Sequence, residues 1–321
     1  MSVPIVELRG VTRAFTLKRR RSDRFRRRTV TAVDDMTWSV TAGEAVGYIG
    51  ANGAGKSTTI KMLVGILVPT AGTVRTCGLD PLRQRGQLAR HVGVVFGQRS
   101  QLWWDLPTAD SFELLAAIHR LAPERAKART DELVERLEMG PFLATPVRQL
   151  SLGQRMRAEI AAALVHSPEL LILDEPTIGL DVVVKARLRE FLIQERHAHG
   201  TTMLLTTHDM GDIERLCERV LVVDHGRVAY DGTLGGLAAT VDAERLLVVD
   251  LAAPTADLDG LHAARFVASE ADGLRQSLAF DPGATSAAAV LAEVAAHAEV
   301  RDLSIAEPDI EDVVRRIYRR S

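Results

Sequence analysis

Between Gly50 and Ser57 the chain reads Gly50-Ala51-Asn52-Gly53-Ala54-Gly55-Lys56-Ser57, and residue types at that spacing suit one task, holding a chain of phosphates. Glycines let the backbone curl until successive N–H groups face a single anion. Lys56 would then reach the terminal phosphates, the Ser57 hydroxyl would ligate Mg²⁺, and Thr58 completes the nucleotide-contacting stretch. A glycine-rich turn can match such a pattern by chance. Its setting argues otherwise: Ala45 to Ile49 reads as a short buried strand, and Ile60, Leu63 and Val64 follow at helical spacing. The loop sits where a strand becomes a helix N-terminus, a ready anion site, so a nucleotide site is predicted.

A second group completes that chemistry. Leu170-Leu171-Ile172-Leu173-Asp174-Glu175 is a buried strand with two acids at its C-terminal end, where ligands bind in parallel sheets. Asp174 can hold Mg²⁺ through water, and Glu175 can orient or deprotonate an attacking water. An acidic strand-end turn is the plainer reading, and the phosphate loop upstream speaks against it. A third stretch, Leu150-Ser151-Leu152-Gly153-Gln154, precedes a helix on which Met156, Ile160 and Leu164 recur. Ser151 with Gln154 fits a capping box, and the same exposed N-terminus offers a second anion site. His208 follows Thr206-Thr207 after the next strand. It is either a plain surface histidine or a hydrogen-bond donor to a γ-phosphate, and the second reading is favoured by its place.

These residues need a scaffold, and the pattern supplies one. Strands are expected at Ile5 to Leu8, Thr29 to Val40, Leu170 to Leu173 and Met203 to Thr206, with a hairpin over Val220 to Tyr230 turning at His225-Gly226. Helices are expected within Thr108 to Met139, on stripes Phe112, Leu115, Ala116, His119 and Leu133, Val134, Leu137, and at Gly153 to His166 and Val183 to His197. Strands alternating with helices around a phosphate loop mean a largely parallel α/β core. The small-residue stretch Gly232 to Thr240 marks a boundary. Beyond it come strands at Arg245 to Leu251, Ala264 to Ser269 and Leu274 to Phe280, then helices at Ser286 to Ala298 and Ile310 to Arg320. Lys18 to Arg28, with eight basic residues in eleven, reads as a solvated loop, or as one lying near phospholipid headgroups or an acidic partner.

The chain has 321 residues, 46% hydrophobic and 26% charged, enough for a large and a small domain. A net charge of −2 gives no general pull towards nucleic acid or anionic membrane. Cys77 and Cys217 have no metal-type spacing and are expected as free thiols in a reducing cytoplasm. No stretch approaches the roughly 18 apolar residues that span a bilayer, so a soluble protein is expected.

Taken in order along the chain, the motifs resemble the ATP-binding subunits of ABC transporters, over about Val6 to Leu237. The phosphate loop matches as it stands. Gln98, in Val94-Val95-Phe96-Gly97-Gln98-Arg99, resembles the family's Q-loop. The resemblance makes it a sensor of metal and γ-phosphate, sharing Mg²⁺ with Ser57 and Asp174 and linking the site to a membrane partner. Leu150 to Gln154 resembles the signature, so that Ser151, Leu152, Gly153 and Gln154 would cap ATP held by an opposite subunit. Asp174 and Glu175 match the Walker B aspartate and catalytic glutamate, Gly179-Leu180-Asp181 the D-loop, and His208 the switch histidine. Leu152 departs from the family's usual glycine. The basic insertion blurs the position of the aromatic that stacks on adenine, leaving Phe15 and Phe25.

The resemblance implies an α/β P-loop NTPase of ABC type with a helical subdomain and an antiparallel β subdomain, plus a small C-terminal α+β domain. The expected bounds are 1–235 for the ATPase domain, with the basic insertion near 18–28 and the helical part near 99–166, and 240–321 for the accessory domain. It further implies ATP and Mg²⁺, a second ATP-binding subunit, identical or homologous, a separate membrane permease, and a cytoplasmic place on the inner face of the membrane. No nucleic acid is expected. Trp103 and Trp104 are either core or an apolar socket for the permease. Together with Leu-Ser-Leu-Gly-Gln and Pro308-Asp309-Ile310-Glu311-Asp312-Val313-Val314 they resemble ATPases of ABC-2 type exporters, which move drugs, lipids or polysaccharides. An importer ATPase and a soluble non-transport ABC ATPase are the alternatives.

Overall fold

A computed structural model describes residues 3–21, 24–97, 100–240 and 244–306. Its contacts divide the chain into two compact units, Met1–Gly232 and Thr233–Ser321.

In the first unit β1 (Pro4–Arg21) and β2 (Arg24–Thr41) form a long hairpin. After β3 (Ala45–Gly50), β4 (Ala71–Thr76) pairs with the other edge of β1, giving an antiparallel sheet ordered β2-β1-β4. With β5 (Val92–Phe96), β6 (Leu170–Asp174), β7 (Thr202–Thr206), β8 (Arg219–Asp224) and β9 (Arg227–Gly232), β3 builds the main sheet, ordered β5-β6-β7-β3-β8-β9. Only the β8–β9 pairing is antiparallel. The continuous apolar runs of β3, β6 and β7 are buried throughout their length apart from Asp174, as strands covered on both faces require.

The helices of this unit are α1 (Lys56–Leu63), α2 (Arg85–Leu88), α3 (Thr108–Ile118), α4 (Pro123–Arg136), α5 (Leu152–Leu164), α6 (Val182–His199) and α7 (Met210–Leu216). The expected stripes are the faces that pack: Phe112, Leu115 and Ala116 on α3, and Leu133 and Leu137 at the end of α4, are buried. A buried ionic cluster ties α4 to α6. Arg129 bonds both Glu195 and Glu132, and Arg136 donates to Glu195 at 2.8 Å and Glu132 at 2.9 Å. Removing one partner of such a pair costs about 3–5 kcal/mol, because the other charge stays buried.

One local expectation changes. The basic run is not a loop: β1 and β2 stay paired from Phe15↔Val30 through Lys18↔Arg27 to Arg21↔Arg24. Ladder hydrogen bonds join backbone to backbone, so a basic run can extend a hairpin whose register is already set. Within the stretch Gly232 to Thr240, Leu234–Thr240 forms a helix, α8, since leucine and alanine outweigh its two glycines.

The second unit continues with β10 (Arg245–Leu251), β11 (Arg265–Glu270), β12 (Arg275–Phe280), α9 (Ala287–Ala295) and β13 (Val300–Ala306), in an antiparallel sheet ordered β11-β12-β10-β13. Leu247, Val249, Leu278 and Phe280 pack with Val290 and Val294 of α9 to form its core. The α+β character matches expectation. The strand β13 was not foreseen, and the expected helix at Ile310 to Arg320 lies outside the described residues.

Candidate functional site

The phosphate-loop stretch joins the buried end of β3 to the first turn of α1. Gly55 holds φ at +105°, and a Cβ there would collide with the Ala32 carbonyl oxygen, so the turn demands glycine. Behind the loop the Tyr48 hydroxyl donates to Thr59 Oγ1 at 3.1 Å, and that hydroxyl donates to the Gly55 carbonyl at 3.1 Å. Neither brace was anticipated, although a polar pair flanking an apolar strand–helix junction is a visible signal. Lys56 Nζ donates to the Gly50 carbonyl and, at 3.2 Å, to that of Ala51. Burial pulls the lysine's pKa down, while the charges of Glu175 and Asp174 oppose that shift. Loop and acid pair therefore share one electrostatic site. Ser57 faces solvent at the loop's exit.

Asp174 closes β6, and its Oδ1 accepts from the Thr206 hydroxyl on the adjacent β7. Glu175 stands one residue further in a left-handed conformation, φ +56°, with its N–H donating to the Thr206 carbonyl at 2.9 Å. A non-glycine residue held there costs energy and turns the carboxylate out of the strand. Glu175 Oε2 accepts from the His208 N–H at 3.3 Å, and Oε1 lies 3.4 Å from His208 Nε2. Burial raises the pKa of Glu175, with His208 pulling the other way, so this carboxylate is a stronger base than an exposed one. Four elements thus bring Lys56, Asp174, Glu175 and His208 together.

Ser151 caps α5 in a full capping box: its Oγ accepts from Gln154 N–H at 3.2 Å, and its own N–H donates to Gln154 Oε1 at 2.9 Å. Asp181 caps α6, accepting from Val184 N–H at 2.9 Å. The two helix starts lie together, since a Cβ on Gly153 would meet Val184 at 3.5 Å and one on Gly179 would meet Leu152 at 2.8 Å. Gln98 lies outside the described residues, as does the side chain of Phe25. Phe15 is half-buried with the Arg13 guanidinium 4.5 Å from its ring centre. Trp103 and Trp104 are 37% and 51% exposed on a turn pinned by Trp103 N–H to Ser111 Oγ and Arg148 N–H to the Trp104 carbonyl. They are not core.

One contributor had no sequence signal. Glu159 of α5, only 5% exposed, accepts from the Ser100 hydroxyl and from the Gln101 N–H at 3.2 Å, fastening the segment just past position 98.

Comparison with known proteins decides among the readings such a site allows. The ABC transporter family model matches residues 33–178. The daunorubicin/doxorubicin resistance ATP-binding protein DrrA of Streptomyces peucetius is 32% identical over 287 residues, covering 88% of this chain and 86% of that one. The chain belongs to the ATP-binding subunits of ABC transporters. Another relative, the Nod factor export ATP-binding protein I of Paraburkholderia xenovorans (strain LB400), is 39% identical over 215 residues, covering 65% of this chain and 68% of that one. A solved ATP-binding cassette, dimeric in a post-hydrolysis state with ADP and phosphate, superposes with a TM-score of 0.62 at 25% identity, covering 71% of this chain and 98% of that one. As an ABC cassette the protein binds and hydrolyses ATP, and cassettes of this family pair with one another and serve membrane subunits. No helix among the described residues is long and apolar enough to cross a membrane.

Proposed function

We propose that this cassette powers a separate membrane permease that moves its cargo outward, in the manner of ABC-2 type exporters of drugs, lipids or polysaccharides. The observation that carries the proposal is the exposed pair Trp103–Trp104 on a pinned turn, five residues past the Q-loop glutamine. Large apolar rings held in water mark a partner's seat. The export and drug-resistance roles in the relatives' names support the outward direction.

In the proposed cycle, Lys56 exchanges the Gly50 and Ala51 carbonyls for the terminal phosphates of ATP. The hydroxyl of Ser57 and the carboxylate of Asp174, whose Oδ2 has no partner among the described residues, are hard oxygen donors that fit Mg²⁺, with Gln98 alongside. When bound, the metal neutralises phosphate charge. Glu175, its pKa raised by burial, takes the proton of the attacking water, and His208 holds that carboxylate and donates to the γ-phosphate. Ser151 and Gly153 cap ATP on the opposite subunit, and Asp181 keeps the start of α6 in place beside them. Hydrolysis removes that shared ligand and opens the pair, a two-state element biased by nucleotide. The second compact unit serves as an accessory domain for support or subunit contacts.

Changing both Trp103 and Trp104 to Ala tests the reading. ATP affinity and melting temperature should hold, while copurification with the membrane subunit weakens at least about thirtyfold, the loss of an aromatic anchor worth about 2 kcal/mol. Unchanged copurification would refute the seat. Export activity that continued without the partner subunit would refute the permease.

A further inference from the structure

The antiparallel sheet of the first unit loses β4 past Thr12, whose pairing with Ala71 is the last between β4 and β1. From Phe15↔Val30 to Arg21↔Arg24, among the described residues, only β1 and β2 run together. The result is a two-stranded arm that reaches about 20 Å at the usual rise per residue. Its root is held: the Thr70 N–H donates to the Thr12 carbonyl at 2.7 Å, and the Thr70 hydroxyl accepts from the Ala14 N–H at 3.1 Å. Thr16, Thr29, Val30 and Thr31 are already exposed.

The chemistry of the arm lies in its register. Lys18 stands opposite Arg27, Arg19 opposite Arg26 and Arg21 opposite Arg24, like charges facing one another across the ladder. Such pairs destabilise a hairpin, and a free two-stranded ribbon is marginal in water even without them. Eight basic residues and Asp23 give positions 18–28 a charge of +7 in a chain of −2, so the remaining residues carry −9. The turn Ser22-Asp23 lies outside the described residues. At about 0.1 M salt, fields between exposed charges fade over about 10 Å, so the outer half of the arm is screened from the acidic body behind it.

We propose that this arm anchors the cassette to an anionic bilayer surface, with phosphate-bearing lipid headgroups as its ligand. Basic residues fill consecutive positions, 18 to 21 and 26 to 28, and successive strand residues fall on opposite faces, so both faces of the ribbon carry cations. A folded acidic partner would neutralise one face and leave the charges of the other opposed. A headgroup layer surrounds a tip that enters it and neutralises both. Phe25, the one apolar residue of the run, stands opposite Arg20 one pair from the turn, and an aromatic ring there suits the boundary between headgroups and acyl chains. A nucleic acid offers phosphates too, but cassettes of this family serve membrane subunits, where an anionic leaflet is at hand. The inference rests on that family placement and not on the direction of transport.

The variant Arg19→Thr/Arg21→Thr/Arg24→Thr/Arg26→Thr removes two opposed pairs and puts good strand formers in their place, so melting temperature and ATP turnover should hold. The full chain and the variant are sedimented with vesicles of phosphatidylglycerol and phosphatidylcholine, and with vesicles of phosphatidylcholine alone. Both proteins are also titrated with a short DNA duplex and with polyglutamate. The full chain should bind the anionic vesicles and not the neutral ones, and the variant should bind at least about a hundredfold more weakly, as four lost headgroup contacts require. Arg→Lys at the same four positions keeps the charge and should bind like the full chain. Anionic vesicles should slow trypsin cleavage of the full chain within positions 18–28 at least about tenfold by mass spectrometry, while cleavage at exposed Arg83 continues. Equal vesicle binding by the threonine variant, unchanged cleavage of the arm, or tighter binding to DNA or polyglutamate than to anionic vesicles overturns the proposal. These vesicles hold no membrane subunit, so failure here leaves the permease reading standing, and failure of the Trp103–Trp104 test leaves the arm.

Discussion

The Leu152 side chain lies directly over Gly179, so close that a Cβ on that glycine would sit 2.8 Å from Leu152 Cδ2. Gly179 also holds φ at +72°, where any side chain is strained. The leucine that replaces the family's customary glycine therefore does structural work, joining the start of α5 to the turn that leads into α6. Gly179→Ala should cost about 1–3 kcal/mol from strain and overlap. Adding Leu152→Gly should recover the overlap part, giving a coupling of at least about 0.5 kcal/mol in a double-mutant cycle measured by urea unfolding. Strict additivity would show that the two residues do not press on each other.

Glu159 holds the segment after position 98 through Ser100 and Gln101. Glu159→Ala leaves the Gln101 N–H without its acceptor, a loss of about 1–3 kcal/mol. Hydrogen exchange at the Gln101 amide should speed up at least about tenfold while the centre of β6 stays protected. Equal protection in both proteins would remove Glu159 from this role.

Acid should weaken the fold through His166. Burial, together with neighbouring His119, lowers its pKa from 6.5 to about 4. The unfolded chain thus takes up this proton at a higher pH than the folded one. The contribution is fully present above the unfolded value and is lost as pH falls towards the folded value. His166→Gln removes that titration, so the stability lost between about pH 7 and about pH 4.5 should shrink by about 2 kcal/mol. An unchanged difference, read by denaturant unfolding at both pH values, would contradict the assignment.

What the sequence revealed was local. The loop at Gly50–Ser57 is legible because glycine and lysine have few other uses between a strand and a helix, and the Ser151–Gln154 cap because both partners lie within one turn. Asp174 and Glu175 were readable from four apolar neighbours that had to be strand. Contacts closed across long separations left no local trace: Glu159 with Ser100, and Arg129 with Glu195, join residues whose spacing follows no period. The basic hairpin beyond Phe15 was misread as a loop because charge, the local cue, does not govern backbone pairing. Strand β13 went unseen because Arg301 and Asp302 interrupt its apolar pattern at an exposed sheet edge.

Lys56 and Glu175 should fail in different ways. Lys56→Ala removes the charge facing the terminal phosphates, so ATP affinity itself should fall at least about tenfold. Equilibrium binding of a fluorescent ATP analogue reads this directly, and wild-type affinity in the variant would take Lys56 out of the phosphate site.

Phosphate release by Glu175→Gln is the most direct test of the site. The amide keeps the shape of the carboxylate next to His208 but cannot accept a proton. ATP should therefore bind with near wild-type affinity while turnover falls by at least about a hundredfold. Turnover near the wild-type rate in this variant would contradict the assignment of Glu175 as the base.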